Sequence, residues 1–110
     1  MDTIPFSDFA KINLKVGTII DAQKPEGSEK LLRLSIDLGE EKPRTIMAGI
    51  GLSYAPEKLI GKQIIVVANL EHRSLMGIES EGMLLAAHDK KGKPVVLKPS
   101  KKVPSGSSVS

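Results

Sequence analysis

The sequence predicts an all-β fold, a small Greek-key barrel of five short strands with only fragments of helix. Three observations carry that expectation. Residues 32–38 alternate apolar and polar side chains without a break, the period of a half-buried strand. Two short apolar runs, residues 64–68 and 83–87, flank a polar segment punctuated by Gly77 and Gly82. The helical signals are single turns, the first before residue 13 and the second between the third and fourth strands.

Taken in order, residues 1–6 read as an extended arm, because Pro5 holds Ile4 in extended geometry. Ser7 reads as the cap of a short helix from Asp8 to about Ile12, with Asp8 near its positive end. Phe6 and Phe9 are expected to pack onto the body. Residues 13–24 read as a long first strand, with Leu14, Val16, Thr18, Ile20 and Ala22 on one face. Lys15, Gly17, Ile19 and Asp21 take the other. Gly17 suggests a bulge or sharp bend, which the first strand of a closed barrel needs. Residues 25–28 are a turn.

The second strand puts Leu32, Leu34, Ile36 and Leu38 inward and Arg33, Ser35 and Asp37 outward. Residues 39–43 turn the chain into a third strand at residues 44–48, so the two strands form a hairpin. Gly49 and Gly51 lack the third glycine and the Lys-Ser/Thr pair of a phosphate loop and read as a turn. Pro56 opens a single helical turn that Gly61 ends. Residues 64–68 have the β-branched look of a buried fourth strand. Residues 83–87 read as the fifth, although Leu and Ala also suit a helix. Residues 88–94 are a charged turn and residues 95–97 a short further strand. Residues 99–110 are rich in Lys, Pro, Ser and Gly, a composition that suits disorder. Val103 and Val109 could instead dock that tail. With its largest helical break after the third strand, the pattern points to the oligonucleotide/oligosaccharide-binding (OB) barrel.

The 110 residues predict one domain. The absence of cysteine excludes disulfides and thiolate metal sites. No apolar run reaches membrane-spanning length, and the N-terminus lacks a signal-peptide pattern, so a cytoplasmic protein with no membrane partner is expected. Residues 1–60 carry 8 Lys and Arg against 9 Asp and Glu, whereas residues 61–110 carry 8 against 4. A basic second half suits a polyanion-facing surface, or equally a solvated lysine-rich tail.

No catalytic set can be assembled, and neither an enzyme nor a cofactor nor a metal is expected. His72 and His88 belong to no metal motif, and no serine sits in a nucleophile elbow. Asp37, Glu40 and Glu41 read as a solvated turn. A binding reading has more material. Lys30 and Arg33 flank the start of the second strand, Arg44 opens the third, and Arg73 lies in the polar connection. Lys90, Lys91, Lys93, Lys98, Lys101 and Lys102 follow. On a barrel these could form one basic face that neutralises phosphates, or they could be scattered solubilising charge. Phe6, Phe9 and Tyr54 are the only aromatics, so bases would find few stacking platforms.

Several segments resemble the tRNA-binding domain family. They are Gly61-Lys62-Gln63-Ile64-Ile65-Val66-Val67-Ala68-Asn69-Leu70 and Leu75-Met76-Gly77-Ile78-Glu79-Ser80-Glu81-Gly82-Met83-Leu84-Leu85-Ala86. Phe9-Ala10-Lys11-Ile12, Val16-Gly17-Thr18-Ile19, Glu29-Lys30-Leu31-Leu32, Arg44-Thr45-Ile46-Met47-Ala48-Gly49-Ile50 and Val103-Pro104-Ser105-Gly106 also match, so the resemblance covers residues 8–110. The family includes the C-terminal domain of many methionyl-tRNA synthetases and free-standing versions of it. The resemblance implies an OB barrel over about residues 13–88 that binds tRNA by shape, without aminoacyl chemistry. It implies a homodimer joined through an extension at about residues 94–110, and allows an aminoacyl-tRNA synthetase as a further partner.

Carried over from the family, the contact residues are Ser80 and Met83, with Asn69 and Arg73 as neighbours. Lys30, Arg33 and Arg44 join them on charge and strand position. As a contact, Ser80 would tolerate alanine with little loss of stability, whereas a Ser80 that holds a turn would lose stability with affinity; Met83, at a strand end, suits part of the core as well as a contact. The turn Pro25-Glu26-Gly27-Ser28-Glu29 departs from the histidine- and asparagine-containing turn usual in the family, which bears on how Lys30 is presented. A related branch acts as a secretion-associated chaperone, a protein-binding alternative on the same fold. Its members lack the Gly-Met pair that this chain has at Gly82-Met83.

Overall fold

The structure, a computed structural model, describes residues 1–110. A single-turn helix, α1 (Phe6–Phe9), precedes β1 (Leu14–Gln23), β2 (Leu32–Asp37) and β3 (Arg44–Ala48). A 3-10 turn at Pro56–Lys58 leads into β4 (Gln63–Val67), β5 (Arg73–Leu75) and β6 (Ile78–Ser80). β7 (Met83–Leu84), β8 (Ala86–His88), β9 (Pro94–Val96) and β10 (Ser108–Val109) complete the chain. The main sheet runs β3-β2-β1-β4-β7 and curls into a nearly closed all-β barrel of OB type.

The core follows from the second strand. Leu32, Leu34, Ile36 and Leu38 are all buried, and their partners across the β2–β3 ladder include Ile46 and Ala48. Ile19, Ile64 and Val66 complete the centre. Each such aliphatic side chain contributes roughly 1.5–3 kcal/mol by leaving water.

β1 obeys the alternation only in part. Its ladder with β2 slips by one residue between Ile19 and Asp21. One extra residue in a bulge reverses which face follows. Gly17 and Ile19 therefore point to the core before the slip and Ala22 after it, while Ile20 is 48% exposed. The expected grouping of Ile20 with Ala22 fails for this reason. The bend lies at Ile20, and Gly17 has a different task. A Cβ at Gly17 would stand 2.5 Å from Ile36 Cγ2 and 3.0 Å from Leu38 Cδ2, so it is the core that excludes a side chain there.

Three further expectations change. The helix begins one residue before Ser7, because Pro5 already supplies the extended cap position and its carbonyl accepts the Asp8 N–H at 3.0 Å. Phe6 is 77% exposed and meets the Phe9 ring at 6.1 Å, so it does not pack into the body. Residues 83–87 split in two: β7 pairs with β4, whereas β8 pairs with β9. Leu85 is the switch, its N–H bound to the Ile65 carbonyl and its carbonyl to the Leu97 N–H.

The polar connection contains a hairpin that the residue pattern did not announce. β5 and β6 join through Met76 and Gly77, both at positive φ (54° and 75°), the geometry of a two-residue hairpin turn. The lysine-rich tail docks. β10 pairs with the start of β1, where β2 has ended. Upstream, Gln63 holds Val103 by both its carbonyl and its N–H, at 2.7 and 3.1 Å.

Gly17→Ala is expected to overpack the core and lower stability by about 1–3 kcal/mol. Chemical denaturation of the two proteins checks this through the transition midpoint.

Candidate nucleic-acid interface

Cross-strand partners share a face of the sheet, so the ladders sort the candidate residues. Inward pairs are Leu34 with Ile46 and Ile36 with Arg44. Outward pairs are Arg33 with Met47 and Ser35 with Thr45. Gln23 extends the Arg33 row across β1. Arg33, Ser35, Thr45, Asp21 and Gln23 line an open depression of about 290 Å³ on this outer face.

Met47 carries the face onward. Together with Leu70, Arg73, Ser80 and Met83 it lines a second cavity of about 70 Å³. The β5–β6 hairpin stands over this side. Its Met76 methyl lies 3.6 Å from where a Cβ on Gly27 would stand, so the hairpin tip reaches the turn between β1 and β2. Lys30 leaves that same turn, with its Cε equally close to where a Cβ on Gly49 would stand and its carbonyl bound to the Gly51 N–H at 2.7 Å. The result is an outer face of β2 and β3 framed by a turn and a hairpin.

The seven candidate residues divide sharply on this frame. Lys30, Arg33 and Arg73 are exposed, and Met83 is 44% exposed. None of the three cations is in an ion pair. Arg33 and Met83 are brought together through Met47, and Arg73 with Met83 around the second cavity.

Arg44, Asn69 and Ser80 are engaged within the protein. Arg44 lies on the opposite face from Arg33 and folds over the barrel end. Its guanidinium donates to both Glu40 carboxylate oxygens at 2.8 Å and to the carbonyls of Ala68 and Glu81. The hydrogen bond to Glu40 raises the Arg44 pKa, and the same bond lowers that of Glu40. The Asn69 amide accepts the Asn13 N–H at 2.8 Å and donates to the Lys11 carbonyl at 2.6 Å, tying the end of β4 to the chain entering β1.

Ser80 is 5% exposed, and its hydroxyl accepts the Met47 N–H at 3.0 Å and donates to the Gly82 carbonyl at 3.1 Å. Beside it, Glu81 accepts the Thr45 N–H through its carboxylate and donates its own N–H to the Thr45 carbonyl. These contacts stand where a β3–β7 ladder would otherwise close the barrel. Ser80, which the family resemblance implies as a contact, is thus a buried residue that closes the barrel.

The expected single basic face resolves into separate groups. Arg44 is turned away, and Lys98, Lys101 and Lys102 share a cleft with Lys62 next to the start of β4. Met47, Leu70 and Met76 are face residues that the residue pattern did not single out. Continuing the outward register of Arg33 and Ser35 across the hairpin would have found Met47. Leu70 and Met76 carry no local signal.

Residues 14–108 match the family model described as "Putative tRNA binding domain". The chain is 53% identical over 103 residues to a methionine–tRNA ligase of Methanothrix thermoacetophila, covering 94% of this chain and 15% of the ligase. The chain thus spans about one seventh of that relative's length. Its fold superimposes on a MetRS related protein from Pyrococcus horikoshii with a TM-score of 0.92, at 37% identity and 99% coverage of both chains. It superimposes equally on the chaperone CsaA from Bacillus anthracis, with a TM-score of 0.90, at 33% identity over 99% of this chain and 100% of that one.

Ser80→Ala is expected to leave the buried Met47 N–H without a partner and to cost about 1–3 kcal/mol. Ser80→Thr, which keeps the hydroxyl, should recover part of this. Thermal and chemical denaturation measure both, and an unchanged midpoint for the alanine variant would refute the closing role.

Proposed function

The chain belongs to the tRNA-binding domain family, and on that premise we propose that it is a non-catalytic module that holds folded tRNA against the outer face of β2 and β3. The observation that supports this reading is the framed face itself. Lys30, Arg33 and Arg73 stand unpaired around it, free to meet phosphates. Met83, Leu70 and Met76 offer exposed apolar contact beside them. Arg44, Asn69 and Ser80 serve by fixing the strands that carry the face.

The three aromatics contribute little to such a surface. The Tyr54 hydroxyl accepts the Val96 N–H, and Phe6 and Phe9 meet each other on the arm. Recognition on this reading therefore rests on folded shape and phosphate backbone, with little stacking of bases. The resemblance to a domain-sized part of a methionine–tRNA ligase supports a role in cytoplasmic protein synthesis. There the module adds tRNA affinity to methionyl-tRNA synthetase, as its tRNA-binding subunit or an accessory factor.

A protein-binding chaperone is the second reading. It is favoured by the likeness to CsaA and by Leu70, Met76 and Met83, which are exposed on the same face. We further propose a homodimer. A groove of about 410 Å³, lined by Tyr54, Leu59, Ile64, Val95 and Val96, opens between the 3-10 turn and β9. This is apolar surface that the Val95–Val96 segment of a second copy could cover.

Binding to folded tRNA and to unstructured RNA of equal length, measured across salt, tests the main reading. Folded tRNA should bind more tightly, with log affinity falling as log salt rises. Arg33→Ala and Arg73→Ala should each reduce the slope by about one phosphate contact, roughly 0.7–0.9. Equal affinity for both RNAs would sink shape recognition, and tight binding of unfolded polypeptide that tRNA does not displace would favour the chaperone.

For the dimer, sedimentation at micromolar concentration should give the mass of two chains and Val95→Glu that of one. A single-chain mass before substitution would remove the proposal.

A further inference from the structure

The cleft between the start of β4 and residues 98–102 lies apart from the outer face and adjoins the apolar groove, with which it shares Lys62, Gln63 and Lys98. It has a volume of about 270 Å³. Lys62, Lys98, Lys101 and Lys102 line it, with Ser100 between them and no carboxylate on its walls. None of the four lysines forms an ion pair, and all are exposed.

Three like charges on a mobile tail would spread apart. Here the backbone on either side of residues 98–102 is fixed. On one side the Leu97 N–H binds the Leu85 carbonyl at 3.1 Å. On the other, Gln63 holds Val103 through two hydrogen bonds and also donates to the Thr18 hydroxyl at 3.1 Å. Thr18 in turn meets the Ser105 hydroxyl at 2.7 Å. The Gly106 N–H binds the Val16 carbonyl at 2.7 Å, and a Cβ at Gly106 would collide with the Leu38 carbonyl. Lys98, Lys101 and Lys102 thus sit on an anchored strap beside Lys62, and no carboxylate of the cleft pairs with them.

We propose that this cleft is a second phosphate-backbone contact for the same folded RNA, an inference that rests on the reading of the outer face. Lysine ammoniums are strongly hydrated point charges with rotatable donors, suited to phosphates met at varied angles. No arginine lines the cleft to demand a fixed planar partner. The two surfaces lie at opposite ends of β4. Val67 pairs with Met83 of the outer face, and Gln63 backs the cleft. Four residue steps along the strand separate them, roughly 13 Å at about 3.3 Å per step. One folded RNA can span that distance, and the two contacts together would select a molecule of defined shape over a flexible strand.

The test compares two triple variants of equal charge change on the full chain. In the first, Lys98, Lys101 and Lys102 become Gln. In the second, Lys90, Lys91 and Lys93 of the β8–β9 turn become Gln. Affinity for a folded tRNA transcript is measured across salt. The first variant should lose about two to three units from the slope of log affinity against log salt, and the second close to none. In the unsubstituted protein, bound tRNA should protect Lys62, Lys98, Lys101 and Lys102 from amine acylation more than Lys90, Lys91 and Lys93. The inference is overturned if the first variant keeps the parent slope, if both variants lose equally, or if protection is uniform. An unsubstituted protein with no preference for folded tRNA would overturn the reading of the outer face and this inference with it, an outcome distinct from failure of the cleft alone.

Discussion

The barrel depends on how its third strand is closed. An open strand edge leaves N–H and carbonyl groups without partners, and β3 forms no ladder on its free side. Side chains close it instead. Ser80 takes the Met47 N–H, Glu81 takes the Thr45 N–H, and the Arg44 guanidinium gathers the carbonyls of Ala68 and Glu81. Three pieces of structure, β3, the end of β4 and the end of β6, are held together by these groups. The outer face exists because of that closure, since Met47, Arg73 and Met83 come from the segments it joins.

This closure explains a division of labour among the polar residues. Arg44, Asn69 and Ser80 are spent on the frame through their hydrogen bonds. Those that face outward, Lys30, Arg33 and Arg73, have no ion-pair partner. A residue can be essential to an interface in either way. Loss of a framing residue moves the whole face, whereas loss of an outward cation removes one contact and leaves the rest in place.

The same division marks what could be read from the residues. Residues 32–38 were legible because burial on one face imposes a strict period of two. The phase of β1 was not, because the slip at Ile20 leaves no mark in composition. The β5–β6 hairpin was hidden by its turn. Met76 adopts a positive φ more usual for glycine or asparagine, so the familiar turn pair is missing. Arg33 could be placed outward by alternation alone. The burial of Ser80 could not, since it arises from β3, far away in sequence. The docked tail was likewise beyond composition. Its lysines suggest a solvated segment, while Gln63, Thr18 and Gly106 decide that it is anchored.

The pairing of β10 with β1 has a consequence for the order of folding. β1 makes ladders with β2 and β4 from residues made soon after it, but its first residues, Leu14 and Lys15, meet Val109 and Ser108. Closing so long a loop is entropically late, and contacts this distant in sequence slow folding. During synthesis the corresponding edge of β1 stays unpaired until nearly the whole domain has left the ribosome. The barrel strands can pair before then, and β10 joins them once Ser108 and Val109 are free to reach Lys15 and Leu14. The edge that β10 covers is therefore sealed only in the finished domain.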